Sequence, residues 1–213
     1  MARAIRETPR RAKKRTPYPV IIIVCEGAKT EPIYFNHFKQ RDKPLRIEVV
    51  KSAAGKSYQA LIEKAIQAKE KYVAGTESNW TVWCVSDVDA DHNIPNNQAT
   101  KNTQLSEYAK LANSYGFKIA LSNPCFELWF LLHFIYTTGY VASCDAVVKK
   151  LIEHLPEYQK SNDIYSLLLA KQTTAIGNAR KLKQYHVEQG KSNFIGTSTN
   201  PYTNVWELIE SLC

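Results

Sequence analysis

Residues 20–31 read VIIIVCEGAKTE, and this stretch decides the fold. Its first six residues are apolar, five of them are β-branched, and no polar residue alternates with them. The pattern is typical of a strand buried on both faces, as at the centre of a parallel sheet covered by helices. Glu26 follows the run, which places a carboxylate at the carboxyl end of the strand, where open α/β sheets bind their ligands. Gly27 permits a tight turn, and Thr30 opens a helix.

The remainder of the first 122 residues alternates strands with helices. The sequence predicts further strands at 45–50, 80–86 and 118–121, and helices at 30–41, 57–74 and 103–115. The order β-α-β-α-β-α-β predicts an α/β fold with a largely parallel four-stranded sheet flanked by helices.

Beyond residue 122 the pattern becomes helical. Asn123 is a suitable N-cap and Pro124 a suitable first helical residue, so we expect a buried helix from 125 to about 135. Further helices are expected near 144–154, 162–171, 174–189 and 202–212. The predicted organisation is a disordered basic arm (1–17), an α/β core (18–122) and an α-helical C-terminal part (123–213), the last two packed as one globular unit.

Length and composition are those of a globular protein with one core. The chain has 213 residues, of which 44% are hydrophobic and 23% charged. No apolar run reaches the roughly 18 residues of a membrane span, and no apolar signal region opens the sequence. Two of the five cysteines, Cys25 and Cys84, fall in predicted core strands. Buried, reduced thiols predict a cytoplasmic protein without a membrane segment.

The net charge of +8 is concentrated at the N-terminus. Residues 1–17 hold seven arginines and lysines against the single Glu7, a local charge of +6. Such an arm suits a polyanion such as nucleic acid, although it is equally compatible with a solubilising tail. The residues expected to contact nucleic acid are Arg10, Arg11, Lys13, Lys14 and Arg15 of the arm, and Arg180, Lys181 and Lys183 of the helical part.

A cluster of carboxylates is expected at the carboxyl edge of the sheet. Asp87 and Asp89 follow a buried strand, and in extended geometry they would point the same way. Beside Glu26 they would repel one another unless a proton or a cation intervened. Mg²⁺ or Mn²⁺ takes oxygen ligands and would relieve this repulsion. Glu31 and Asp91 could complete a second metal position, and two ions about 4 Å apart are usual in phosphodiester cleavage.

Three further residues have two interpretations each. Lys29 is either a cation that faces substrate phosphate or an exposed lysine at a helix start. Glu127 either pairs with a buried donor that locks the helical part to the sheet, or reaches the metal site. His133 is either a hydrogen-bonded core histidine, which we favour, or a general base.

Four segments resemble a known family. They are CEGAKTEPIYF (25–35), SDVDAD (86–91), SNPCFELWFLLHF (122–134) and NPYTNVWELIESL (200–212). The first two resemble the Toprim fold of topoisomerases, primases and nucleases of the OLD type. All four together resemble the RloB family of Toprim proteins, over about residues 18–212.

The resemblance implies a function as well as a fold. It aligns Glu26, Asp87 and Asp89 with the acidic positions of Toprim proteins. It also implies a role in antiphage, abortive-infection defence beside a separate ATPase of the AAA or ABC type. We therefore expect a metal-dependent nuclease that cleaves RNA, tRNA included, or DNA. The alternative is a non-catalytic Toprim scaffold that binds nucleic acid or a partner. The number of subunits stays open, an oligomer included.

Overall fold

The computed structural model describes residues 19–39, 46–51, 57–73, 79–89 and 97–212. The strands are β1 (Val20–Cys25), β2 (Arg46–Lys51), β3 (Trp80–Asp87), β4 (Lys118–Asn123) and β5 (Tyr202–Thr203). The helices are α1 (Thr30–Asn36), α2 (Tyr58–Val73), α3 (Asn97–Ser114), α4 (Glu127–Leu131), α5 (Cys144–Ile152), α6 (Tyr165–Leu169), α7 (Gln172–Glu188) and α8 (Val205–Leu212). Within these ranges, no helix combines the length and the apolar character that crossing a membrane requires.

The strands form one mostly parallel sheet in the order β2-β1-β3-β4-β5. β1 pairs in parallel with both β2 and β3, and β3 pairs in parallel with β4. The predicted α/β class is therefore confirmed. The prediction of four strands is wrong, because the two-residue β5 adds an antiparallel fifth strand beside β4.

The central strand β1 is buried on both faces, as its continuous apolar run predicted. Ile22 and Val24 pack on one face, in a cluster that includes residues of α2 and α3. Ile21, Ile23 and Cys25 pack on the other face, with side chains of α1 and of the C-terminal helices. Two layers of helices thus cover the sheet, and each fully buried isoleucine contributes about 1.5–3 kcal/mol to folding. Burial also raises the pKa of the Cys84 thiol to about 12, so this free cysteine stays protonated and inert.

The helix predicted from 125 to about 135 is much shorter in the structure. Asn123 is not an N-cap, because it ends β4 and its side-chain amide donates to the Thr199 carbonyl at 2.8 Å. The helix α4 then covers five residues, 127–131. After Leu131 the backbone tightens into turns, in which the amide of Phe134 donates to the carbonyl three residues earlier. By contrast, α3 begins at Asn97, six residues before the predicted start at 103.

The segment before α8 belongs to the sheet, and the helix predicted from 202 starts only at Val205. Asn204 explains the difference. Its side-chain carbonyl accepts from the amide of Leu121 at 2.7 Å, and its side-chain amide donates to the carbonyl of Ile119 at 2.9 Å. One asparagine side chain therefore supplies β4 with the hydrogen bonds that a longer fifth strand would have made.

Candidate functional site

Glu26 joins the ends of two neighbouring strands. Its backbone amide donates to the carbonyl of Val85 at 2.9 Å, which continues the pairing of β1 with β3 by one residue. Its carboxylate oxygen Oε2 accepts from the backbone amide of Asp87 at 3.2 Å. Burial raises the pKa of this carboxyl to about 7, and the charges of Glu31 and Asp89 act in the same direction. The expected proximity of Glu26 to the end of β3 is therefore present in the structure.

Asp87 carries a buried oxygen atom that has no partner. The residue ends β3 and is half-buried, yet its Oδ1 has neither solvent contact nor a hydrogen bond. Burial raises the pKa of this carboxyl well above its ordinary value, and Glu31, Glu127, Glu26 and Asp89 raise it further. A buried acceptor without a partner is costly, so this atom is where a cation or a proton is most needed.

Asp89 is placed differently from the expectation. It lies beyond β3, is exposed, and adopts a left-handed backbone conformation with φ of 47°. Its amide donates to the carbonyl of Pro124 at 3.0 Å, which holds this conformation. The argument from extended geometry therefore does not apply to Asp89, although its charge still reaches Asp87 and Glu26.

Glu31 is buried on the first turn of α1, with 5% of its surface exposed. Its Oε1 accepts from the backbone amide of Gly27 at 3.1 Å. A Cβ at position 27 would overlap both carboxylate oxygens, so this packing requires glycine. Burial raises the pKa of Glu31, and the charge of Glu127 adds to that effect. The turn after β1 therefore fixes a second buried carboxylate close to Asp87.

Glu127 pairs with a buried donor as one interpretation expected, but the donor belongs to the helical part and not to the sheet. Glu127 is 3% exposed, and its Oε1 accepts from the hydroxyl of Tyr158 at 3.2 Å. The ammonium of Lys160 lies 3.8 Å from the same oxygen. Glu127 thus ties α4 to the segment that follows α5, as a structural anchor would. Its charge nevertheless raises the pKa of both Asp87 and Glu31, so it also borders the acidic cluster.

A disulfide joins Cys125 to Cys144, next to Glu127. The Sγ of Cys144 lies 3.3 Å from the Oε2 of Glu127. Cys125, Glu127 and Cys144 form the one group in the described residues that places three possible metal-ligand atoms within 4.8 Å of one another. Because the two sulfur atoms are bonded to each other, this set does not hold a metal here. No three of the described residues Glu26, Glu31, Asp87 and Asp89 bring one carboxylate oxygen each within 4.8 Å of one another.

Two residues beside the acidic cluster have no motif in the sequence. The hydroxyl of Tyr58, the first residue of α2, donates to the backbone carbonyl of Asp87 at 2.7 Å. The ammonium of Lys101, on α3, lies 5.3 Å from the centre of the Tyr58 ring and lowers the pKa of Glu26. Both line a cleft of about 270 Å³ that opens beside Glu26.

The remaining candidates are dispersed. Lys29 precedes α1 and is exposed, and its side chain makes no hydrogen bond to another described residue. His133 is buried, and its Nδ1 is bonded to the carbonyl of Trp129 at 2.9 Å. Burial lowers the pKa of this imidazole to about 4. The imidazole is therefore neutral at pH 7, with Nδ1 as the donor and a buried Nε2 that has no partner in the described part of the chain.

Most of the basic residues predicted for nucleic acid are paired or undescribed. Arg180 forms a salt bridge with Glu210, and Lys183 pairs with Glu207 at 3.1 Å. Lys181 is exposed on the same helix, α7. The arm residues Arg10, Arg11, Lys13, Lys14 and Arg15 lie outside the described residues, and so does Asp91.

Comparison with known proteins gives one positive result. No curated protein and no solved structure matches the chain. The family model described as RloB-like protein matches residues 21–212. This match covers nearly all of the chain, from β1 to α8, and includes every carboxylate of the acidic cluster described above. The chain belongs to the RloB-like protein family.

Proposed function

We propose that this protein is a metal-dependent nuclease of the Toprim type, which hydrolyses phosphodiester bonds in RNA, tRNA included, or in DNA. The observation that carries the proposal is the buried, unpartnered Oδ1 of Asp87 within a group of carboxylates. Asp87 ends β3 and Glu26 directly follows the adjacent parallel strand β1, which supports the Toprim resemblance of the sequence. Carboxyls whose pKa is strongly raised by burial and by neighbouring charges cluster at functional sites, which supports a ligand-binding role.

The chemistry of the donor set suits a hard divalent cation, but among the described residues no three of its carboxylates bring one oxygen each within 4.8 Å of one another, so the side chains must close around an ion to bind it. Asp87 offers the orphaned Oδ1, while Glu26 and Glu31 each use one oxygen for a backbone amide and keep the other. Oxygen donors with this charge suit Mg²⁺ or Mn²⁺. When bound, such an ion supplies Lewis-acid activation of the phosphate and an activated water nucleophile. We assign ligand roles to Glu26, Asp87 and Asp89, and a second position, for a second ion, to Glu31 and Asp91.

Residues near the acidic cluster have further roles in proton transfer, in positioning and in contact with the substrate phosphate. The pKa of Glu26 is about 7 in the metal-free chain, so Glu26 is either a ligand of the ion or, where it does not bind the ion, a general base near neutral pH. The hydrogen bonds to Asp87 from Tyr58 and to Glu26 from the Asp87 amide hold the two strand ends in register. Lys29 is exposed at the turn, where it can face a substrate phosphate.

Mn²⁺ binding and cleavage together test the proposal. Calorimetry should detect Mn²⁺ binding to the wild-type chain, and both Asp87→Asn and Glu26→Gln should remove it together with cleavage of single- and double-stranded RNA and DNA. The control is Glu153→Gln, which changes an exposed carboxylate at the end of α5. Mn²⁺ binding that is unchanged in Asp87→Asn would refute the metal assignment. Nucleic-acid binding without cleavage by the wild type would identify the protein as a binding module instead.

We also propose that the nuclease acts in antiphage, abortive-infection defence and depends on a separate AAA- or ABC-type ATPase. The support for this role is membership of the RloB-like family and the resemblance noted in the sequence. The test expresses the chain alone and with its genomic neighbour, with and without phage challenge, beside Asp87→Asn. Equal protection by the chain alone would exclude a required partner.

A further inference from the structure

The cleft beside Glu26 has no role in the chemistry assigned so far. It lies between the first turn of α2 and the middle of α3 and has a volume of about 270 Å³. Ligand pockets for drug-sized molecules span about 300–1,000 Å³, so this cleft accepts a unit of roughly nucleotide size and not a double helix. One end of the cleft is Glu26 itself, so a group bound there would lie next to the acidic cluster.

Lys101 brings positive charge into a cleft whose other charged lining residues are the carboxylates Glu26 and Glu107. Its ammonium lies 5.3 Å from the centre of the Tyr58 ring and lowers the pKa of Glu26, which lines the same cleft. It forms no salt bridge with another residue in the described ranges. A lysine without a salt-bridge partner can contact the phosphate of an incoming substrate. The nearby carboxylates would repel that phosphate, so the lysine is its favourable contact.

The aromatic floor of the cleft does not offer a free face for stacking. Tyr58 and Tyr108 stack on each other, with ring centres 4.8 Å apart, and both are buried. The polar side chains Gln59 and Gln104 line the cleft and are exposed. Gln59 donates through Nε2 to Glu63, which leaves its carbonyl oxygen as an acceptor. Carboxamides of this kind form hydrogen bonds with the edge of a base.

We infer that this cleft binds one unpaired nucleotide of the substrate, with Lys101 on its phosphate and Gln59 and Gln104 on the edge of its base. The inference rests on the proposed nuclease function and specifies its substrate as single-stranded nucleic acid, or an unpaired loop. A base within a duplex must first be unpaired and unstacked to enter the cleft, which costs a few kcal/mol, so an unpaired base is preferred. The cleft therefore distinguishes single-stranded from double-stranded nucleic acid, while the acidic cluster performs the hydrolysis.

The test measures binding of the full chain in EDTA, so that metal-dependent cleavage does not interfere. A short fluorescent single-stranded oligonucleotide is compared with the same sequence as a duplex. Lys101→Ala should weaken single-strand binding about tenfold and reduce the salt slope by about 0.7, the value for one phosphate contact. Gln104→Ala should change the preference among bases and leave the salt slope unchanged. Lys110→Ala is the matched control, since it removes an exposed lysine of the same helix that does not line the cleft.

Equal affinity and equal salt slope in Lys101→Ala and Lys110→Ala would overturn the inference, and so would equal binding of the duplex. These outcomes are distinct from failure of the proposed function. If the wild type cleaves and binds Mn²⁺ but Lys101→Ala behaves like the control, only the cleft assignment is wrong. If strand-selective binding depends on Lys101 and no cleavage occurs, the cleft assignment stands and the nuclease proposal is wrong.

Discussion

The backbone amide of Gly27 donates a hydrogen bond of 3.1 Å to the buried carboxylate of Glu31. The two residues are packed so closely that a single methyl group on Gly27 would occupy the position of the carboxylate. The turn after β1 therefore does more than reverse the chain. It presents a backbone donor to an acidic side chain that would otherwise be buried without compensation.

This relationship predicts the effect of Gly27→Ala. The added methyl group should collide with the Glu31 carboxylate and force it to move. This movement is costly because the Glu31 side chain is buried. We expect weaker Mn²⁺ binding and a loss of about 1–3 kcal/mol in unfolding free energy. The control is Gly177→Ala in α7, where no neighbouring atom lies within 4 Å of the new Cβ. That variant should be stabilised by about 0.5–1 kcal/mol. Equal thermal stability of the two variants would contradict the prediction.

Asp87→Asn should leave the metal-free protein at least as stable as the wild type. The substitution removes a buried charge that is repelled by Glu31 and Glu127, among others. The gain in unfolding free energy should grow as the pH rises above the ordinary range of a carboxyl, because the raised pKa makes ionisation of Asp87 cost more in the folded chain than in the unfolded chain. Thermal unfolding in EDTA measures it. Added Mn²⁺ should reverse the order by stabilising only the wild type. A variant less stable than the wild type in EDTA would show that Asp87 is a structural acceptor.

Glu127→Gln and Tyr158→Phe separate anchoring from catalysis. The first removes the charge of Glu127, whereas the second removes only the hydroxyl that donates to it. If Glu127 is an anchor, each variant should lose about 1 kcal/mol of stability and retain cleavage within about tenfold. Loss of the partly exposed contact to Lys160 adds little. A stable Glu127→Gln protein that no longer cleaves, beside an active Tyr158→Phe protein, would place Glu127 in the active site.

His133 predicts a pH dependence of stability. Burial lowers its pKa from 6.5 to about 4, so the unfolded chain binds more protons than the folded chain between these values. The contribution of His133 is therefore complete above pH 6.5 and is lost as the pH falls towards 4, up to roughly 3 kcal/mol. His133→Asn should flatten this part of the stability curve relative to His154→Asn, which alters an exposed histidine. Parallel curves for the two variants would show that His133 is not buried as a neutral group.

Deletion of residues 1–17 tests the basic arm, which lies outside the described residues. The deletion removes a charge of +6 and none of the carboxylates of the cluster. We expect weaker binding of nucleic acid, a shallower salt dependence, and unchanged cleavage at saturating protein. An equally steep salt slope after deletion would identify the arm as a solubilising tail.

The parts of the fold that could be predicted share one property, a strong local pattern. The apolar run of β1 predicted a strand buried on both faces, and parallel strands bring their carboxyl ends to one edge, which predicted Glu26 beside Asp87. The turn conformation of Asp89 was not predictable, because it depends on a hydrogen bond from its amide to Pro124, which lies on another strand's extension. The N-cap predicted at Asn123 was wrong for a similar reason. An asparagine side chain can cap a helix or hydrogen-bond to a distant backbone carbonyl, and the local sequence does not distinguish the two.

The rest of the candidate site depends on contacts between distant parts of the chain. Lys101 and Tyr58 reach the acidic cluster from two different helices, and no motif links them. The pairing of Cys125 with Cys144 spans 19 residues without a recognisable spacing. β5 is two residues long, too short for any periodicity to mark it. These features are set by tertiary packing, which a local pattern does not encode.

Asn204, whose side chain completes the hydrogen bonding of β4, also affects the order in which the protein folds during synthesis. Leu121 obtains its hydrogen-bond partner from Asn204, which is translated 83 residues later. Until that segment leaves the ribosome, β4 is an open sheet edge, and the Ser122–Pro124 backbone that holds Val88 and Asp89 lacks its support from Thr199. Nascent chains therefore carry the acidic residues long before they can arrange them. The backbone arrangement at the end of β3 is therefore complete only after the C-terminal segment has been synthesised and has paired with β4.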